Sequence, residues 1–305
     1  MRVLGIIGRI LIGAGIVILL FATYQVWGTS LQEGHTQNLM RQTFVHDSKN
    51  HQLQSELAQL TTQDSLPTGP PVLAPETAAP AEGQPVGDIR IPKIGINQIV
   101  VEGTNTQDLR KGPGHYTGTP LPGQAGNAAI AGHRTTYGHP FYNLDGVDPG
   151  DPIVLTTDQG VFVYDAQKSE VVSPDDNSAL KDTPGATLTL TTCNPRFSAT
   201  SRLVVVAVLT HTKLFSGVQK ASAKAKPVTT TAKVSSGDLA GTSNGQLLTA
   251  VLWGIIVLGV GALVLFLAHW FRRYRWYIWV GGALGSLALL YFFFAAITPL
   301  LPASL

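Results

Sequence analysis

Ala186-Thr187-Leu188-Thr189-Leu190-Thr191-Thr192-Cys193, followed by Asn194-Pro195, is the stretch on which the fold turns. Apolar and β-branched residues alternate over positions 186–192, and a strand sends successive side chains to opposite faces, so the run reads as a strand with one buried face. Proline cannot continue a sheet ladder, so the strand ends at Asn194-Pro195 and leaves the Cys193 thiol at a rim. Short runs of the same kind recur on both sides: Ile89-Arg90-Ile91, Gln98 to Val101, Ala128 to Ala131, Ile153 to Leu155, Val161 to Tyr164, Glu170 to Val172 and Leu203 to Leu209. Gly, Pro, Asn and Asp punctuate them. Eight short strands between about 86 and 211, with no long helical pattern, predict a mainly β domain, an eight-stranded closed or nearly closed barrel. Thr106 to Lys111 and Asp175 to Leu180 read as single helical turns at most.

Composition changes on either side of this segment. Residues 28–66 are polar, with Leu53, Leu57 and Leu60 spaced as in a short helical stalk. From Pro67 to Pro85 there are six prolines in 19 residues, which predicts an extended spacer, so 28–85 reads as stalk plus spacer. Residues 212–246 are rich in Ser, Thr, Ala and Lys and lack apolar periodicity, which predicts a solvated linker.

Only 13% of the 305 residues are charged, about half the roughly 25% usual in soluble domains, and the mean hydropathy is +0.17. That argues against a wholly cytosolic enzyme and suggests that part of the chain lies in lipid. Three uncharged stretches account for the deficit: Ile10 to Trp27, Leu247 to Ala268 and Trp276 to Leu301. About 20 apolar residues cross a bilayer, so the last two read as a transmembrane hairpin over 247–301. The first follows Arg2 and Arg9 and has no clean small-x-small cleavage site, so residues 1–27 read as an uncleaved N-terminal anchor rather than a signal peptide. Arg272, Arg273 and Arg275 lie between the second and third spans. Lys and Arg mark the cytoplasmic side, which predicts a multi-pass cell-membrane protein with residues 28–246 outside. A net charge of +2 excludes a dedicated nucleic-acid binder, and a single cysteine excludes an internal disulfide or a cysteine-rich zinc site.

The lone cysteine is the natural nucleophile. A thiol needs a proton acceptor nearby and a donor for the charge that develops on the attacked carbonyl. Among the histidines of the barrel segment (His115, His133, His139 and His211), His133 follows the apolar run 128–131 and so lies at a strand's end. Arg202 opens the last strand, and a turn over 194–201 brings it back beside the thiol, with a planar fork of donors that stays charged. His115 sits in a glycine-rich stretch read as loop. His133 and His139 lack metal-ligand spacing, and Asp145, Asp148 and Asp151 read as solvated turn carboxylates; no metal site and no cofactor is expected.

Thr189-Leu190-Thr191-Thr192-Cys193 resembles the TLxTC signature of sortases, the bacterial cysteine transpeptidases of the cell surface. Ala131-Gly132-His133-Arg134 resembles the segment around their essential histidine, and Arg202 falls where their essential arginine belongs. Gly112 to Tyr116 and His133 to Gly138 look most like the class E, actinobacterial housekeeping type. The resemblance implies a sortase barrel over 86–211 with Cys193 as nucleophile, His133 as proton donor and acceptor, and Arg202 as stabiliser of substrate and oxyanion. It further implies Tyr137 and Thr192 at the substrate, Tyr137 with Gly138 being associated with LAXTG-type over LPXTG-type signals. The implied partners are surface proteins bearing such C-terminal signals and the amine of a lipid-linked peptidoglycan precursor. Class E sortases typically have one N-terminal anchor, so the C-terminal hairpin is a departure. The alternatives are a class C-like pilin polymerase, disfavoured because residues 28–88 hold no Asp-Pro-aromatic lid motif, a hydrolytic cysteine peptidase, and a non-catalytic wall-associated module.

Overall fold

The alternating runs close on themselves. The computed structural model describes residues 2–47, 66–215, 218 and 244–298. In chain order the elements are α1 (Arg2–Thr23), α2 (Thr29–Asp47), β1 (Pro85–Ile91), β2 (Ile96–Glu102), α3 (Thr106–Leu109), β3 (Gly114–His115), β4 (Gly126–Ala131), β5 (Pro152–Thr156), β6 (Gly160–Val172), β7 (Ala186–Asn194), β8 (Ser201–Leu214), α4 (Asn244–Trp270) and α5 (Arg275–Ile297). The leucine-spaced stretch at Leu53 to Leu60 and the lysine-rich stretch over 219–243 lie outside the described residues.

The strands form a closed barrel in the order β1-β2-β3-β4-β7-β8-β6-β5. Closure removes the unpaired edges that make an open sheet prone to association. Ile89, Ile91, Val100, Ile130, Leu155, Phe162, Tyr164, Leu188, Leu190 and Val205 fill its interior. At roughly 25 cal/mol per Å² of apolar surface, burying such side chains stabilises by about 2 kcal/mol each, and this core holds the barrel shut.

Three features differ from the sequence reading. The runs at 161–164 and 170–172 belong to one strand, β6, which pairs with β8 along its length and carries register shifts at Val163/Tyr164 and Ala166/Lys168. The eighth strand is instead β3, which joins β2 to β4. His115 is therefore not on an open loop: it is buried on β3, with Nδ1 2.7 Å from Glu102 and Nε2 3.0 Å from both the Thr119 hydroxyl and the Pro120 carbonyl.

The stalk and spacer are also packed on the barrel. With β3 only two residues long and paired at Val101 and Glu102, β2 has no strand at Ile99 on the side away from β1. Gln37 of α2 fills the place: its Nε2 donates to the Ile99 carbonyl at 2.9 Å, and its Oε1 accepts from the Ile99 N–H at 2.6 Å. Phe44 of the same helix packs with Ile99, Val154, Val161, Val163 and Phe215. The proline-rich segment has no regular structure, but Ala74 enters the core, and the Gln124 and Gln159 amides donate to the Pro75 carbonyl at 3.2 and 2.9 Å.

A separate unit is built from α1, α4 and α5. Leu248–Trp270 and Trp276–Ile297 are long and apolar enough to cross a membrane, whereas the apolar part of α1, Leu11–Thr23, is shorter. Aromatic contacts tie the three helices: Phe21 to Phe294 at 5.1 Å, Tyr24 to Tyr291 at 5.3 Å, and Trp253 stacked on Phe292 at 5.2 Å. Leu258, Trp276 and Tyr277 face outward, which in water is costly and in lipid is not.

Candidate active site

Register brings the candidate residues to one end of the barrel. In the antiparallel β7–β8 pair, Cys193 lies directly opposite Arg202. Directly opposed residues share a face of the sheet. Arg202 Nη1 lies 2.9 Å from the Cys193 sulfur, so a charged N–H points at the candidate nucleophile. The hairpin between them is closed at its base, where Asn194 Nδ2 donates to Ser201 Oγ at 3.1 Å and Ser201 Oγ donates to the Asn194 carbonyl at 2.9 Å.

Strands β4 and β7 run parallel, with Ala131 level with Thr191. His133, just past the end of β4, and Cys193, near the end of β7, therefore each lie two residues beyond that pair. The exit is fixed by Gly132 N donating to the Thr191 carbonyl at 3.0 Å and Thr192 Oγ1 donating to the Gly132 carbonyl at 2.8 Å. Gly132 has to be glycine, because a Cβ there would meet the Phe141 ring at 2.6 Å. Thr192 is buried and its hydroxyl is committed to this tie between the two strand ends.

His133 is half-buried, and its Nε2 is closed off from solvent with no hydrogen-bond partner among the described residues. Its pKa is lowered to about 4, first by burial and then by the charges of Arg110 and Arg202. Near neutral pH the imidazole is thus uncharged and free to accept a proton. Tyr137 supplies the cover, its ring centroid 5.2 Å from that of His133, and the Arg110 guanidinium lies 5.5 Å from the centroid of the Tyr137 ring. The loop bends sharply to bring Tyr137 there: Tyr137, Gly138 and His139 all have positive φ (49°, 70° and 39°).

Several side chains at this end escaped the sequence reading. Tyr116 hydrogen-bonds Thr191 Oγ1 at 3.0 Å; burial raises its phenol pKa, and the charges of Arg202 and Cys193 both reach it. Arg134, only 4% exposed, donates Nη1 to the Cys193 carbonyl at 3.2 Å and to Asn194 Oδ1 at 2.6 Å, and its Nη2 pairs with Asp145 at 3.0 Å. Arg196 reaches the same carboxylate at 2.9 Å and lies 4.5 Å over the Tyr142 ring. Two arginines thus hold Asp145, while Asp148 and Asp151 face Lys93 at 3.3 and 3.7 Å. Among the described residues no cluster of three His, Cys, Asp or Glu side chains is arranged to hold a metal ion. The available signal for Arg134 was its adjacency to His133, and for Tyr116 its place at the end of Gly112 to Tyr116; neither carries a geometric expectation by itself.

The family model described as Sortase domain matches residues 89–210, which span the barrel from β1 to β8 and include Cys193, His133 and Arg202. The chain belongs to the sortase family. It is similar to class E members: Sortase SrtE1 of Streptomyces coelicolor is 33% identical over 215 residues, covering 65% of this sortase and 55% of SrtE1. Sortase SrtE2 of the same organism is 28% identical over 232 residues, covering 71% of this chain and 85% of its own. Among solved structures, sortase E from Streptomyces avermitilis is 38% identical, covers 44% of this chain and 93% of that one, and has a TM-score of 0.41. The sortase thus spans little more than half the length of SrtE1.

Proposed function

We propose that the chain is a membrane-anchored cysteine transpeptidase that cleaves a C-terminal sorting signal of LAXTG or LPXTG type between Thr and Gly and passes the acyl group to an amine of a cell-wall precursor. The observation that carries this reading is the 2.9 Å contact of Arg202 with the Cys193 sulfur. The Cys193 sulfur attacks the Thr carbonyl carbon, its proton passes to neutral His133, and Arg202 donates to the oxygen as charge develops there. His133 then protonates the departing glycine amine, leaving a thioester. The acceptor amine attacks the thioester, gives its proton to His133, and the thiol reforms. Splitting one acyl transfer into two steps of lower barrier is the value of the covalent intermediate. Tyr137 and Thr192 are the substrate-side residues in this reading, Tyr137 through its ring at the site's edge and Thr192 through its backbone beside the nucleophile.

Two apolar helices, α4 and α5, support membrane association; in this reading the barrel lies on the outer face, together with signal-bearing substrates and lipid-linked acceptors. Anchoring all three in one plane raises their effective concentration. The test is mass spectrometry of the full chain in detergent with LAXTG and LPXTG peptides. A thioacyl adduct on Cys193 that vanishes in Cys193→Ala, and a new amide on adding triglycine, support the proposal. Free acid alone points to a hydrolase, and no adduct with either peptide overturns the reading.

A further inference from the structure

The Tyr137–Gly138 turn that covers His133 is held from outside by the first turns of α2, an element the mechanism above does not use. The Tyr137 N–H donates to Thr29 Oγ1 at 3.2 Å, and Thr29 is fully buried. One turn further along, the Glu33 carboxyl sits against Gly138: a Cβ built there would lie 2.2 Å from Oε2. Glycine is required twice over, for that approach and for a φ of +70°. Another turn on, Gln37 brackets Ile99, which locks this face of the helix to the barrel. Thr29, Glu33 and Gln37 thus form one stripe at four-residue spacing, seated on the loop that carries the candidate general base.

Glu33 is the odd member. It is 4% exposed, and its Oε1 is buried with no hydrogen-bond partner among the described residues. Among the described residues no cation pairs with it: Arg110 lies over the Tyr137 ring, Lys111 pairs with Asp108 at 3.0 Å, and Arg41 on the same helix pairs with Asp88. The other titratable or charged groups of the covered loop are His133, Tyr137, the exposed His139, Tyr142 under Arg196, and the Arg134–Asp145 pair. Burial alone raises the Glu33 pKa to about 7. A protonated carboxyl tolerates this site; a carboxylate has to reach water.

We infer that Glu33 and Thr29 are positioning residues for His133: with the Glu33 carboxyl protonated, α2 seats the Tyr137–Gly138 turn and fixes the imidazole, and ionisation of Glu33 lifts the first turns of the helix and releases the turn. The inference rests on the transpeptidase reading for its kinetic consequence but not for its geometry. Loss of the seat frees the Tyr137 N–H from Thr29 and lets its ring leave His133. Transfer slows because the base is misplaced, while peptide and amine still bind.

The experiment compares the full chain with Glu33→Gln, a neutral isostere, in detergent between pH 6 and 8.5, using LAXTG peptide and triglycine. The expected result is a ratio of variant to wild-type kcat near one at pH 6 that rises about tenfold or more by pH 8.5, as an ionisation near 7 dictates, with KM for triglycine unchanged. Thr29→Val is expected to lower kcat at every pH. In parallel, the NMR signals of the Tyr137 amide and the His133 ring are expected to move with a midpoint near pH 7 in the wild type and not in Glu33→Gln. A kcat ratio flat within twofold, or His133 and Tyr137 signals without an inflection between pH 6 and 8, overturns the inference. Should Glu33→Gln not fold, the wild-type NMR titration decides alone. Absence of any Cys193 adduct in the wild type overturns the transpeptidase reading instead, and the NMR arm still judges the seat.

Discussion

Arg134 donates to the carbonyl oxygen of Cys193 at 3.2 Å, so the residue after the candidate base grips the backbone of the candidate nucleophile. The same guanidinium holds Asn194 Oδ1 and Asp145, so one buried side chain joins the end of β7 to the 133–145 loop. Arg134→Ala takes a donor from a partly buried carbonyl and releases Asp145 to Arg196 alone. The expected cost is about 1–3 kcal/mol of barrel stability together with slower Cys193 acylation. Arg134→Lys keeps a charge near Asp145 but not the fork that reaches Cys193 and Asn194 at once, so it recovers stability more than rate. Thermal melts set beside adduct-formation rates check this, and an Arg134→Lys variant acylated at the wild-type rate would contradict it.

Arg202 makes a different kind of contact, to the reacting atom itself. It opens β8 at a half-buried position, so Arg202→Ala is expected to leave the melting temperature within a few degrees of wild type. Losing a donor aimed at a developing oxyanion costs on the order of 10²–10³ in rate. Adduct formation on Cys193 is therefore expected to fall by that factor, with Arg202→Lys intermediate. A fully folded Arg202→Ala acylated within threefold of wild type would remove Arg202 from the mechanism.

The barrel and the Cys193–Arg202 pairing were legible because both follow from local rules. Alternation marks a half-buried strand, a proline stops it, and a short turn forces the next strand back antiparallel. The strand inventory was less faithful. β6 reads as two runs because its bulges at Val163/Tyr164 and Ala166/Lys168 break the alternation, though the backbone continues. β3 is two residues long, and its place is set by the His115–Glu102 contact with β2, which no pattern window detects. The packing of α2 on the β2 edge was hidden for a similar reason. Gln37 answers a vacancy left by the shortness of β3, and a polar residue in a polar helix gives no sign of that. Arg134, Tyr116 and Glu33 owe their roles to contacts across 60, 75 and about 105 positions of chain, a range on which spacing arguments are silent.

Tyr137 offers a direct handle on the base. Its ring covers His133, and burial is the first cause of that imidazole's depressed pKa, ahead of Arg110 and Arg202. Tyr137→Ala opens the ring to water and is expected to raise the His133 pKa from about 4 toward its ordinary 6.5, read from the histidine ring protons by NMR. The acid limb of the rate profile moves upward with it, because a protonated imidazole cannot take the thiol proton. An unchanged titration in Tyr137→Ala would assign the depression to the two arginines instead.

Glu33 and His133 give the barrel opposite stability slopes with pH. Glu33 holds its proton to about 7 when folded but releases it near 4.5 when unfolded. Between those values the folded chain carries the extra proton, so its contribution is fully present below 4.5, declines through 4.5–7 and is lost above. His133 runs the other way: the unfolded imidazole takes a proton below 6.5 and the folded one only near 4, so its contribution is present above 6.5 and lost as pH falls toward 4. The slopes oppose each other between 4.5 and 6.5, and just above 6.5 only that of Glu33 remains. Glu33→Gln removes the first slope alone, so the variant is expected to gain on the wild type as pH rises from 5 to 8, by at most about 3 kcal/mol for a carboxyl this deeply buried. Thermal melts of the full chain in detergent, followed by the far-ultraviolet signal of the barrel, measure it. A difference between variant and wild type that stays constant across that range would mean that the Glu33 carboxyl reaches water in the folded chain.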